Sequence, residues 1–134
     1  MTALVNRDTD YAVRALCHLA RQPDELAAVP EMCETLRVPR PFLRRILQAL
    51  ARAGMLKSSR GRSGGFQLEK PAGKITLIDV IGVFQGKVDF TRCMYHGKMC
   101  PDAKVCPMRK TLKAIEADAV ERLKATTIGN LIEK

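Results

Sequence analysis

The sequence predicts a mainly α-helical fold with one small β-hairpin: a winged helix-turn-helix followed by a long C-terminal helix. Three observations point there. Apolar residues recur at helical spacing through most of the 134 residues. That period breaks at "MLKSSRGRSGGFQL", where two short extended runs flank a glycine-rich turn. Just before the break, a short helical pattern and a basic one are joined by a brief turn.

Taken in order, "DTDYAVRALCHLARQ" places Ala12, Ala15, Leu16, Leu19 and Ala20 on one helical face. Thr9 or Asp8 is its expected N-cap, and Pro23 ends it. In "VPEMCETLRV", Pro30 suits a first turn, and Val29, Cys33 and Leu36 share a face. A turn near Arg37 to Pro39 leads into "RPFLRRILQALARAG". Here Phe42, Leu43, Ile46, Leu47 and Leu50 form the apolar stripe, with Arg44, Arg45, Gln48 and Arg52 opposite and Gly54 closing the helix. The hairpin pairs Met55–Ser59 with Phe66–Leu68. "TLID" reads as a capping box opening a helix through about Phe84, which Gly86 closes. Next comes a cysteine-containing loop. Met108, Leu112, Ile115, Ala119 and Leu123 then mark a long helix, and Thr127 caps a last short one. These elements divide the chain into a winged helix-turn-helix over residues 1–86, a cysteine loop over 87–107, and a long helix with a short terminal helix over 108–134.

Charge points to a partner. Residues 35–68 hold eight basic side chains and no acidic one, whereas residues 1–34 hold three basic and six acidic. Positive charge focused in this way calls for a polyanion. With aromatics at 4% and no Trp, there are few platforms for stacking unpaired bases, which favours double-stranded DNA. Arg44, Arg45, Gln48 and Arg52, with Arg40 near the helix start, suit a helix lying in the major groove. Arg60, Gly61, Arg62 and Ser63 form a basic, glycine-tipped wing able to approach the backbone or a narrow minor groove. A solvated basic face is the plainer account of any one arginine. The acid-free window, the preceding short helix and the wing together favour DNA.

The stretch "TRCMYHGKMCPDAKVCPM" holds Cys93, Cys100 and Cys106. Three thiols in one loop suit a soft metal, and Pro101 and Pro107 stiffen the backbone beside two of them. Spacing leaves open an iron–sulfur cluster, a zinc site with His96 as fourth ligand, a thiol switch, or unliganded thiols. Cys17 and Cys33 read as structural cysteines within helices. The start of the chain is charged where a secretory signal needs an apolar run. "ITLIDVIGVF" is also too short to span a bilayer, so a cytoplasmic protein without membrane contact is expected. No nucleophile-elbow, P-loop or Rossmann pattern occurs, and no enzyme activity is expected. An iron–sulfur electron carrier is a reading from a different class, and the acid-free window argues against it.

The chain resembles the IscR/NsrR family of bacterial transcriptional regulators (the Rrf-two family). The resemblance rests on "DYAVRAL", "PFLRRILQALARAGML", "SRGRSGGFQL", "ITLIDVI", the three loop cysteines and "TIGNLI", in that order over nearly the full length. It implies a homodimer joined along the helix carrying Leu112, Ile115, Ala119 and Leu123. It also implies an iron–sulfur cluster, of two-iron or four-iron type, held by Cys93, Cys100 and Cys106. IscR-type members place a histidine ligand three residues after the last cysteine, where this chain has Arg109. NsrR-type members take an aspartate from the partner subunit near the start of the first helix, and Asp10 matches that position. The first two cysteines stand one residue further apart than is usual in cluster-binding members. Arg44 replaces an acidic recognition-helix residue of IscR-type members, which implies a different operator. The function implied is regulation of transcription, as a repressor or as a dual regulator, responding to nitric oxide, redox state or iron–sulfur status. A winged-helix repressor with a thiol switch or zinc site is the alternative.

Overall fold

The structure, a computed structural model, describes residues 4–61, 64–90 and 106–133. Arg62, Ser63, Cys93, His96 and Cys100 lie outside the described residues. The elements in chain order are α1 (Arg7–Ala20), α2 (Val29–Leu36), α3 (Arg40–Arg52), β1 (Leu56–Ser59), β2 (Gly65–Leu68), a 3-10 turn (Ala72–Lys74), α4 (Leu77–Phe84), α5 (Pro107–Ala125) and α6 (Ile128–Ile132). The predicted mainly helical fold with a two-stranded antiparallel wing is the fold observed.

The core gathers where α1, α3 and α6 meet. Ala12, Ala15 and Leu16 of α1 are fully buried against Leu43, Ile46, Leu47 and Leu50 of α3, with Ile75, Val80 and Ile128 completing the cluster. Small alanines on α1 let the helices approach closely, and the larger α3 side chains fill the space between them. Two details of α2 and α3 depart from expectation. In α2 the fully buried side chain is Met32, while Val29, Cys33 and Leu36 are half-buried around it. In α3, Phe42 leaves the apolar stripe and is 43% exposed. At about 100° per residue it stands roughly 90° from the centre of the buried face, too far round to reach the core.

The turn between α2 and α3 is tight. Arg37 caps α2 in the left-handed region, at φ 56°, and its N–H donates to the Cys33 carbonyl. After α3, Gly54 takes φ 83° and the chain enters the hairpin, whose register pairs Leu56 with Leu68 and Ser59 with Gly65. The wing does not stand alone. Ala27, in the loop before α2, pairs with Phe66 through two backbone hydrogen bonds of 2.9 and 3.0 Å. A side chain on Gly65 would run into the Ala27 carbonyl, so glycine is needed for this contact.

Helix α4 opens with the expected capping box, Thr76 and Asp79, and α6 opens with a second one, Thr127 and Asn130. The two caps are bridged: Leu77 N–H donates to the Thr126 carbonyl at 2.9 Å and Ile128 N–H to the Ile75 carbonyl at 2.8 Å. This bridge carries α6 back onto α1, where Ile128 is fully buried. Helix α5 packs chiefly against α4 and has no fully buried residue. Among the described residues no helix is long and apolar enough to cross a membrane.

The start of α1 also differs from expectation. Asn6, not Thr9 or Asp8, is the N-cap, its side chain accepting the Thr9 N–H at 2.8 Å. Thr9 is buried, and its hydroxyl donates to Gln85 Oε1 at 2.7 Å. Gln85 Oε1 also accepts the Asn6 N–H, and Gln85 Nε2 donates to the Leu4 carbonyl, each at 2.9 Å. One amide just past α4 thus holds the chain entering α1. Gln85→Ala should leave the Thr9 hydroxyl buried without its acceptor and lower stability by about 1–3 kcal/mol, measurable by urea unfolding.

Candidate nucleic-acid interface

Because α3 buries Leu43, Ile46, Leu47 and Leu50, its opposite arc of Arg44, Gln48 and Arg52 faces solvent. Arg40 opens the helix on the same side of the cleft that this arc forms with the wing. Ser58, Ser59, Arg60 and Gly61 supply the far wall, and Val29, Pro30 and Phe66 the floor, of a cleft of about 870 Å³. Arg40, Arg44, Arg52 and Arg60 line it, and none of them forms an ion pair among the described residues. Unpaired guanidinium groups beside exposed backbone are suited to phosphate oxygens and base edges.

The wing tip is shaped by its glycines. Gly61 adopts φ 106°, a conformation that disfavours any side chain, and its carbonyl accepts the Gly64 N–H at 3.1 Å. A Cβ on Gly64 would run into the Ser59 carbonyl.

Arg45 lies outside this cleft. Its Nη2 donates to Asp8 Oδ1 of α1 at 3.1 Å, and its guanidinium sits 5.8 Å from the Phe42 ring centroid. Sequence reasoning grouped Arg45 with Arg44, since adjacent positions both miss the buried stripe. The acidic residue that draws it aside is 37 positions away and left no local signal.

Of the candidate metal ligands, two are described. Cys106 is the N-cap of α5, half-buried and without a disulfide. Asp10 lies in the first turn of α1, partly exposed, and pairs with Arg14 at 3.1 Å. Among the described residues no three histidine, cysteine or acidic side chains converge on one point. Cys17 and Cys33 are half-buried against the core, and burial pushes the Cys17 thiol up, partly opposed by Arg21. A thiol so raised is a poor ligand and nucleophile at neutral pH.

The expected apolar stripe of α5, which includes the seam residues, divides. Leu112, Ala119 and Leu123 are half-buried, whereas Met108 is 70% and Ile115 48% exposed. Glu116, beside them, accepts the Phe90 N–H at 3.0 Å and a bond from Lys113 Nζ at 3.2 Å. Together these ties hold its carboxyl below the ordinary range, the Phe90 contact contributing most. They anchor the chain to α5 just ahead of residues 91–105.

With this geometry in place, comparison with known proteins is direct. The family described as Rrf2, iron-dependent transcriptional regulators, matches residues 5–134. The chain belongs to the Rrf2 family. It is 35% identical over 130 residues to protein aau3 of Rhizobium meliloti (strain 1021), covering 96% of this chain and 84% of that protein. It is 32% identical over 124 residues to an Aquifex aeolicus (strain VF5) protein named as an HTH-type transcriptional regulator, covering 91% and 86%. In fold it is similar to CymR, the global cysteine regulator of B. subtilis, with a TM-score of 0.79 at 23% identity, covering 98% of this chain and 97% of that one. T. potens IscR is also similar, with a TM-score of 0.76 at 22% identity over 99% and 88%. As an Rrf2 protein the chain is a transcriptional regulator, and the family's function implies DNA binding.

The Glu116 anchor has a pH signature. A carboxyl depressed in the folded state contributes above the ordinary carboxylate pKa and loses its contribution as pH falls through the depressed value. Protection of the Phe90 amide from hydrogen exchange should therefore persist at neutral pH and fade only once the pH has fallen below the ordinary carboxylate range. Glu116→Ala should remove that protection at every pH.

Proposed function

We propose that this Rrf2 regulator grips duplex DNA as a homodimer through α3 and the wing, and that its three loop thiols govern the grip by holding an iron–sulfur cluster. The carrying observation is the cleft between α3 and the wing, with four guanidinium groups and, among the described residues, no acid paired with them. Arg44, Gln48 and Arg52 reach base edges in the major groove, while Arg40 and the wing residues Arg60, Gly61, Arg62 and Ser63 serve the backbone and minor groove. Each phosphate neutralised releases counterions, so binding must weaken steeply with salt. Arg40→Ala combined with Arg60→Ala should flatten the slope of log K against log salt by about 0.9 for each phosphate no longer neutralised, read by fluorescence anisotropy on duplex DNA.

Cys93, Cys100 and Cys106 hold the cluster in this reading, with Asp10 of the partner subunit as the fourth ligand. The described part of the set fits such a role. Cys106 is without a disulfide at the N-cap of α5, and Asp10 is partly exposed with only a surface ion pair to give up. The cluster would supply a centre reactive toward nitric oxide or oxidants. The chain's own contribution is to set Cys106 at the head of α5 and Asp10 in the turn of α1 next to Asp8. Dimerisation through Leu112, Ile115, Ala119 and Leu123 would cover Ile115, now exposed, and set two reading heads about 34–36 Å apart for a repressor on a two-fold operator.

A second reading, a thiol-switched or zinc-holding regulator, is favoured by Arg109, exposed on the first turn of α5 where IscR-type members carry a histidine ligand. One experiment separates the two. Protein purified without oxygen should be coloured and carry iron and acid-labile sulfide, and Cys106→Ala should lose both. Colourless protein with stoichiometric zinc, or with no metal, would select the second reading and leave DNA binding in place.

A further inference from the structure

We propose that Asp8 is a positioning residue for Arg45, and that the pair reads one base of the operator from the α1 side of α3. The inference rests on the reading of α3 as the groove helix. Arg45 stands about 100° around the helix from Arg44, so the two arginines flank the outward direction, one toward α1 and the other toward the wing. Arg44 is untethered on the cleft side, whereas Arg45 is held on two sides. Asp8 Oδ1 accepts one N–H from Nη2 at 3.1 Å, and the Phe42 ring lies 5.8 Å beneath the guanidinium. A guanidinium has five N–H donors, and the Asp8 contact uses one of them. The remaining donors are oriented by that contact, and the Arg45 side chain as a whole is still 58% exposed. Restricting a guanidinium before binding favours the bidentate pairing with guanine that a freely rotating side chain forms at greater entropic cost.

Two further features fit. Phe42 is the one large apolar side chain of α3 left in solvent, and supporting Arg45 gives it a role there. Asp8 is a carboxylate set against a helix from an acid-free stretch, residues 35–68. Near DNA its charge opposes binding to any sequence, and an exposed ion pair adds little to folding. Orientation of Arg45 supplies a reason for it: weaker attachment to all DNA in return for better discrimination.

The test uses the full-length protein with two duplexes of equal length at one ionic strength. One is the duplex that wild-type protein selects from a randomised pool, and the other is its scrambled counterpart. Asp8→Asn, which keeps the side-chain shape, should bind the scrambled duplex more tightly and lower the ratio of the two affinities roughly tenfold. Arg45→Lys, which keeps the charge but loses the fork, should leave scrambled binding unchanged and lower the ratio similarly. The double variant should be no less selective than Arg45→Lys alone. Thermal unfolding reports any loss of fold separately. If Asp8→Asn tightens both duplexes in parallel, Asp8 is only a repelling charge and the proposal is overturned. If Arg44→Ala and Arg52→Ala also leave both affinities untouched, the groove-helix reading falls with it. If those two weaken binding while Asp8→Asn spares the ratio, the groove helix stands and this inference alone fails.

Discussion

The architecture depends on how α3 is seated. Leu43, Ile46, Leu47 and Leu50 are all fully buried, and each such burial contributes about 1.5–3 kcal/mol. Four contacts along one stripe leave the helix no freedom to roll about its axis. Rolling by one residue would expose apolar side chains and push an arginine toward the core, where an unpaired cation is very costly. The same packing that stabilises the domain therefore aims Arg44, Gln48 and Arg52 outward. The placement of grease thus decides where the positive charge is presented.

The wing is held by a different device. A two-stranded hairpin is marginal in water by itself. Here Ala27 adds a short third rung to β2, and Gly65 permits the approach. Phe66, whose backbone makes the rung, is also a buried core residue. The distance between wing and α3 is thus set by the loop before α2, so both walls of the cleft are referenced to one core. At the other end, the bridged caps of α4 and α6 bring α6, which follows α5, back onto α1. Helix α5, with Cys106 at its head, is in this way connected to the helix that carries Asp8 and Asp10.

Much of this was legible in the sequence because helix and hairpin periods are local signals. The boundaries of α2, α3, the hairpin and α4, the two threonine caps of α4 and α6, and the outward arc of α3 follow from spacing and turn chemistry. What was hidden depends on partners far along the chain. Asn6 competes with Asp8 and Thr9 for the cap of α1, and Gln85 settles the contest by taking the Thr9 hydroxyl from 76 positions away. Phe42 satisfies the i, i+4 rule with Ile46, yet the centre of the stripe lies elsewhere once all four buried residues are weighed. Arg45 and Arg44 are equivalent by spacing, and only the packing of α1 beside α3 tells them apart. In α2, Met32 outranks its neighbours because a long unbranched side chain reaches the core from a short helix. The cysteine triad was visible as composition, but the described residues include Cys106 alone of the three.

The cleft side chains Arg44, Gln48 and Arg52 are exposed and take no part in the buried stripe of α3. Arg44, Gln48 and Arg52 can consequently be exchanged without disturbing the scaffold beneath them. On the proposed reading of this arc, a copy made by gene duplication could drift to a new address in the genome by a few codon changes while its core stays as it is.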